Sequence, residues 1–153
     1  MSRPAPLDPE RIVGTLAKYG VRFVLIGALA ARLHGFPRVT ADADITPARD
    51  ADNLERLAAA LHDLDARVFT DGVPDGLPFD CSAQTLARAE IWNLVTSAGR
   101  LDVAFARSGT GGYDDLARHA VRFEVYGVEL LAARLEDIIR SKQAAGRRRI
   151  GRT

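Results

Sequence analysis

Residues 23–45 read FVLIGALAARLHGFPRVTADADI, and the changes of period along this stretch decide the fold. Phe23-Val24-Leu25-Ile26 is a β-branched and aromatic run without a polar residue, and with Val21 and Arg22 it predicts a buried strand over residues 21–26. Gly27 interrupts it. Residues 28–33 are helix-forming and close at His34-Gly35, with His34 expected at the helix end against Phe36. Residues 39–45 alternate in a way that suits a second strand, ended by Thr46-Pro47. The unit is therefore strand, glycine, short helix, strand.

That second strand carries Asp42 and Asp44. Successive strand residues face opposite sides, so these carboxylates share one face, with Cα atoms about 6.5–7 Å apart. Ala41 and Ala43 are small, and Ile45 continues a buried face. Two carboxylates aimed together repel each other unless a cation lies between them. Mg²⁺ suits such a donor set because it takes carboxylate and phosphate oxygens in octahedral geometry, and Mn²⁺ shares the preference. Spacing alone does not single the pair out. Asp8/Glu10, Asp50/Asp52 and Asp63/Asp65 repeat it, and roughly two or three such pairs arise by chance at this acidic content. Position at the end of a strand that follows a glycine junction is what distinguishes Asp42/Asp44.

Working outward, Asp8-Pro9 is an N-cap followed by proline at the first helical position. Ile12, Val13, Leu16 and Ala17 then repeat at helical spacing up to Gly20. Residues 50–64 form the clearest helix, with Leu54, Leu57, Ala58 and Leu61 on one face. A weak strand at residues 67–69 precedes a proline- and glycine-rich segment, 71–78, expected to be a loop able to act as a lid or insertion. A short helix over 83–89, a hairpin of 91–96 with 101–105, and a helix over 113–119 follow. Two short strands fold about Tyr126-Gly127 within 123–131, and a last helix spans 135–145. With no repeat and no interior linker, residues 1–147 read as one α+β domain and 148–153 as a basic tail.

Two further features join the carboxylates. Asp102 lies inside the apolar run Leu101-Asp102-Val103-Ala104-Phe105, and a buried charge costs several kcal/mol unless it is paired or bound to metal. A third carboxylate on a neighbouring strand would supply a further metal contact and could serve as general base. The Gly27-Ala28 junction has two readings: a plain turn, or backbone N–H groups open to a phosphate.

Composition limits the alternatives. A chain of 153 residues with 47% hydrophobic and 27% charged residues builds one ordinary core. The net charge of +1 carries no signal for a polyanionic partner. Arg147, Arg148, Arg149 and Arg152 crowd the end, as a solvated terminus or a phosphate or RNA contact. The N-terminal residues hold no apolar core of signal-peptide length, and the apolar stretch 23–31 is too short to span a bilayer. The single cysteine, Cys81, allows no intrachain disulfide and reads as a half-buried thiol. A cytoplasmic location without membrane contact is the expectation. Trp92 reads as core or groove wall.

Taken together, Phe23 through Ala30, His34-Gly35, Arg38-Val39-Thr40, Asp42-Ala43-Asp44-Ile45 and Leu101-Asp102-Val103 resemble the DNA polymerase β-type nucleotidyltransferase superfamily, most closely its small bacterial AbiEii-like members of toxin–antitoxin and phage-defence systems. The Arg-x-Thr-x-Asp-x-Asp segment is the most specific part, and the helix carrying Lys142 is similar to the group's basic C-terminal helix. The resemblance implies a polymerase β-like fold, a mixed β-sheet flanked by helices. It implies Mg²⁺- or Mn²⁺-dependent transfer of a nucleoside monophosphate from an NTP to a hydroxyl of a tRNA end or a protein, with a cognate antitoxin or regulator as partner. Asp42, Asp44 and Asp102 would be catalytic metal ligands. Gly27, Ala28, Arg38, Thr40 and Lys142 would bind the nucleotide. Ala28 stands where the group has a second glycine or a serine, and the C-terminal helix lacks the group's acidic continuation. These departures support the alternatives: a degenerate domain that binds nucleotide or a partner without turnover, or an enzyme acting on a small molecule such as an antibiotic.

Overall fold

The computed structural model describes residues 5–107 and 109–150, with side chains described as far as residue 146. Its centre is a mixed sheet of eight strands built from β1 (Phe23–Ile26), β2 (Asp42–Pro47), β3 (Arg67–Thr70), β4 (Val73–Leu77), β5 (Ile91–Thr96), β6 (Gly99–Ala104), β7 (Val121–Val125) and β8 (Val128–Ala132). The strands lie in the order β4-β3-β5-β6-β2-β1-β8-β7. Neighbours pair antiparallel except β2 with β6 and β1 with β8, which are parallel. The α+β expectation holds.

One face of the sheet makes the main core. Helix α1 (Pro9–Lys18) starts where expected, because Asp8 accepts a hydrogen bond from the Arg11 N–H and Pro9 occupies the first turn. It lays Ile12, Val13 and Leu16 on the sheet. Helix α3 (Ala51–Asp63) adds Leu54, Leu57, Ala58 and Leu61. From below they meet Leu25, Ala43, Ile45, Leu101 and Val103, which are the alternate residues of β1, β2 and β6. Asn53 fastens this layer. Fully buried on α3, it accepts the Arg22 N–H at 2.8 Å and donates to the carbonyls of Arg22 (3.0 Å) and Ala48 (2.7 Å), so it joins the start of β1 to the end of β2.

The opposite face is only partly covered. Val24 and Ile26 of β1 pack there with Leu116 of α5 (Tyr113–Arg118) and Ala133, against Ile138 of α6 (Leu135–Ile150). Short helices α2 (Gly27–Leu33) and α4 (Ala83–Leu86) complete the elements. The carboxylates of β2 and β6 lie on this second face, beside α6.

Three expectations change. Segment 71–78 is not a lid: it forms β4, antiparallel to β3 with a register shift between Val68 and Thr70. Its proline and glycine are tolerated because the strand is at the sheet edge, where one side needs no ladder bonds. His34 ends α2 as expected, but it packs edge-on to Phe123 (5.3 Å) and donates from Nε2 to the Ala133 carbonyl, while Phe36 is half exposed. Helix α6 continues to Ile150 rather than ending at 145. The side chains of Arg147, Arg148 and Arg149, and the whole of residues 151–153 with Arg152, lie outside the described residues, so the reading of residues 148–153 as a basic tail rests on sequence. Cys81 is buried, which pushes its thiol up to about 11, and Trp92 stacks on Phe79 at the core margin. Among the described residues no helix is long and apolar enough to cross a membrane.

Candidate active site

The sheet register assembles the acidic face. Asp44 pairs with Ile26 on one side and with Asp102 on the other; Asp42 pairs with Arg100, and Asp102 with Asn93 of β5. Residues opposite one another in a ladder face the same way, so Asp42, Asp44, Asp102, Arg100 and Asn93 share the surface left open by α5 and α6. The intervening Ala43, Ile45, Leu101 and Val103 are buried beneath.

Gly27 brings the strand–helix junction against this row. Its φ of +75° is in the left-handed region, and a Cβ there would overlap Asp44 Oδ2 and stand 3.0 Å from Asp44 Cγ. Glycine therefore lets the junction sit directly on the Asp44 carboxylate. Thr40 arranges the approach to β2. Its hydroxyl donates to the Asp42 carbonyl (2.7 Å), lies 3.3 Å from Asp42 Oδ1, and accepts the Asp42 N–H. The Thr40 side chain thus orients Asp42.

The electrostatics follow from burial and crowding. Burial raises the Asp44 carboxyl to about 6; the Arg107 guanidinium opposes this and the Asp42 charge adds to it. Asp102 rises to about 7, first through burial, then through a hydrogen bond with Asp42 and repulsion from Asp44 and Asp42, against the pull of Arg100. Asp102 Oδ1 is sealed from solvent and takes no hydrogen bond; its ion-pair partner, Arg100 Nη2, stands 3.5 Å away, held over the Phe69 ring. Arg107 Nη2 lies 3.6 Å from Asp44 Oδ1 and bonds the Ile45 carbonyl, while Nε donates to Thr46 Oγ1 at 3.2 Å. In this arrangement no three His, Cys, Asp or Glu side chains among the described residues are grouped closely enough to hold a metal ion. Asp44 and Asp102 are turned to arginines instead.

Two clefts meet at Asp44. One, of about 250 Å³, is lined by Gly27, Ala28, Arg38, Arg107 and Lys142. The other, of about 730 Å³, is lined by Glu90, Asn93, Asp102, Gly109 and Thr110. Asp44, Arg107, Ser141 and Ala145 belong to both. Of the residues singled out in the sequence, Gly27, Ala28, Arg38, Asp44 and Lys142 therefore come together in the first cleft, Asp102 opens onto the second, and Asp42 and Thr40 line neither. Arg100, Arg107 and Asn93 were not singled out. Asn93 and Arg100 enter through register, and Arg107 through a glycine-rich turn with no periodicity to flag it.

No protein-family model matches the sequence, and no curated protein matches it. Among solved structures, the fold is similar to the crystal structure of a provisionally assigned nucleotidyltransferase of Thermotoga maritima, with a TM-score of 0.63 at 16% identity over 97% of this chain and 92% of that one. The two share a fold across nearly their whole length.

Proposed function

We propose that the protein is a metal-dependent nucleotidyltransferase that moves a nucleoside monophosphate from an NTP to a hydroxyl and releases pyrophosphate. The observation that carries this reading is the juxtaposition of Asp44 and Asp102 on parallel neighbours, with Asp42 on the same face, beside a cleft bearing Arg38, Arg107 and Lys142. The fold shared with a provisionally assigned nucleotidyltransferase agrees with it.

The donor set suits Mg²⁺ or Mn²⁺: three carboxylates on one face, one of whose oxygens is buried without a hydrogen bond. Asp42, Asp44 and Asp102 would hold the ion, which supplies charge neutralisation at the phosphates. Arg38 and Lys142 attract the triphosphate, and Gly27 and Ala28 line the same cleft. Asp102, with its raised affinity for a proton, is the group suited to take one from the acceptor hydroxyl. The sequence resemblance makes a tRNA end or a protein hydroxyl the acceptor, and toxin or defence action under a cognate antitoxin the setting.

One observation favours a second reading, a nucleotide- or partner-binding domain without turnover: Asp44 and Asp102 have arginine partners and are not grouped for metal. A single assay separates the two. Each α-labelled NTP is incubated with the protein, Mg²⁺ and either bulk tRNA or a protein extract. The transferase reading expects label in the acceptor with wild type and none with Asp44→Ala. Calorimetric binding of NTP and Mg²⁺ without labelling supports the second reading, and labelling that survives Asp44→Ala removes this site from the chemistry.

A further inference from the structure

A group transferred between two clefts must pass through the residues common to both. Here these are Asp44, Arg107, Ser141 and Ala145, and Arg107 is the one cation among them. Its side chain is 18% exposed. A guanidinium so withdrawn from water is costly unless its donors are used. Among the described residues two protein acceptors take its hydrogen bonds, Thr46 Oγ1 and the Ile45 carbonyl, and Asp44 at 3.6 Å is an ion pair without a short hydrogen bond. Of five N–H donors, most remain for an anionic ligand.

The turn behind Arg107 fixes its place. The Thr110 N–H and hydroxyl both donate to the Arg107 carbonyl, each at 3.0 Å. Gly112, at φ +83°, closes the turn so tightly that a Cβ would lie 2.8 Å from the Phe105 carbonyl oxygen. The Gly111 N–H donates to Asp115, which also pairs with Arg140 of α6 at 2.7 Å. The turn is thereby tied to the helix that carries Lys142. Arg107 is held at the cleft junction from both sides.

We infer that Arg107 is a catalytic residue of the transfer, binding the non-bridging oxygens of the phosphoryl group as it moves from nucleotide to acceptor. The inference rests on the nucleotidyl-transfer reading above and adds to it the residue that acts at the reacting phosphorus. In the step, the acceptor oxygen forms a bond to the α-phosphorus and the bond from that phosphorus to the β-phosphate's bridging oxygen breaks. Pyrophosphate leaves with the electron pair, and the hydroxyl proton passes to a carboxylate of the acidic face. Arg107 offers a planar, bidentate cation that stays with the central phosphorus throughout, while Arg38 and Lys142 line only the nucleotide cleft.

The test measures pyrophosphate release from each NTP with bulk tRNA or protein extract, for wild type, Asp44→Asn, Arg107→Ala and Arg107→Lys, alongside melting temperatures. The expected result is a fall in kcat of about 10²–10³ for Arg107→Ala with KM for NTP changed less than about threefold, and partial restoration by millimolar guanidinium. Arg107→Lys keeps the charge but not the fork, and is expected to fold and to lose at least about tenfold in kcat. It decides the matter if Arg107→Ala does not fold. A wild-type kcat in Arg107→Lys or Arg107→Ala, or a loss confined to KM, overturns the role of Arg107 and leaves the transfer reading standing. Release that is absent from wild type, or unchanged in Asp44→Asn, overturns the transfer reading itself and this inference with it.

Discussion

Asp44 and Asp102 occupy one register position of the parallel pair β2–β6, so two carboxylates stand side by side on the open face of the sheet with a third, Asp42, one pleat away. Each is mostly buried, and each has a carboxyl raised well above its ordinary value, to about 6 and about 7. Folding without a cation therefore takes up protons on this face.

The sign of the pH dependence follows. A carboxyl whose folded value is raised above the unfolded 3.8 contributes stability that is complete below about pH 4 and is lost as pH rises through about 6 and 7. Asp102→Asn mimics the protonated form. In metal-free buffer at pH 8 it should melt about 3–6 °C above wild type, and the difference should narrow as pH falls and close only below about pH 4. Asp63, held low by hydrogen bonds from Tyr19 and Lys18, has the opposite sign but cancels between the two proteins. At pH 8, Mg²⁺ should raise the melting temperature of wild type and not that of Asp102→Asn. Parallel melting curves at every pH would show that Asp102 is not charged against its surroundings.

Gly27→Ala tests the close approach of the junction to Asp44. The substitution puts an L-residue at φ +75°, which costs about 1–2 kcal/mol, and drives its Cβ into the Asp44 carboxylate. A melting temperature lower by about 3–8 °C is expected, together with loss of the stabilisation given by Mg²⁺, because Asp44 must turn aside. A variant as stable as wild type would mean that the contact is loose.

How much of this was legible beforehand differs from element to element. Helices α1 and α3 were plain because their caps and apolar stripes are local signals, and Asp42, Asp44 and Asp102 stood out as charges in otherwise apolar strands. The pairing of β2 with β6 was not legible, since the two strands are far apart in the chain and no local pattern fixes parallel register. Strand β4 was read as a loop because proline, aspartate and glycine outweigh any alternation there, and only its partner β3 makes it a strand. Arg107 is one of 21 basic residues, in a turn whose geometry depends on Phe105, Thr110 and Asp115 together. Of the five residues assigned to nucleotide, Thr40 faces Asp42, an arrangement that spacing on a strand could not foretell.

Asn53 should be among the most sensitive positions away from the site. Its amide makes three hydrogen bonds inside a fully buried pocket, so Asn53→Ala leaves the Arg22 N–H and the Ala48 carbonyl without partners and the Arg22 carbonyl with the Ala48 N–H alone. The expected cost is about 3 kcal/mol, or roughly 10 °C in melting temperature. Asn53→Asp should be no better, since it replaces two donated bonds with negative charge facing carbonyl oxygens. Urea denaturation at constant m-value gives the number, and a loss under about 1 kcal/mol would show that water fills the gap.

Arg38 and Lys142 both line the smaller cleft, one from the segment after α2 and the other from α6, and both side chains are exposed. Exposed cations gain little from fixed partners, so their effect should appear only when a polyanion is bound. Arg38→Met and Lys142→Met should each leave the melting temperature within about 1 °C and weaken NTP binding about five- to tenfold, a typical yield of one charge-assisted contact. Because such contacts are screened, raising the salt from 0.05 to 0.5 M (a chosen range) should weaken wild-type binding more than that of either variant. Calorimetric titration with an NTP in Mg²⁺ measures both effects. Equal affinity and equal salt dependence in Lys142→Met would place that lysine in solvent and move the triphosphate toward Arg107, a result that the Arg38→Met titration would then locate more closely.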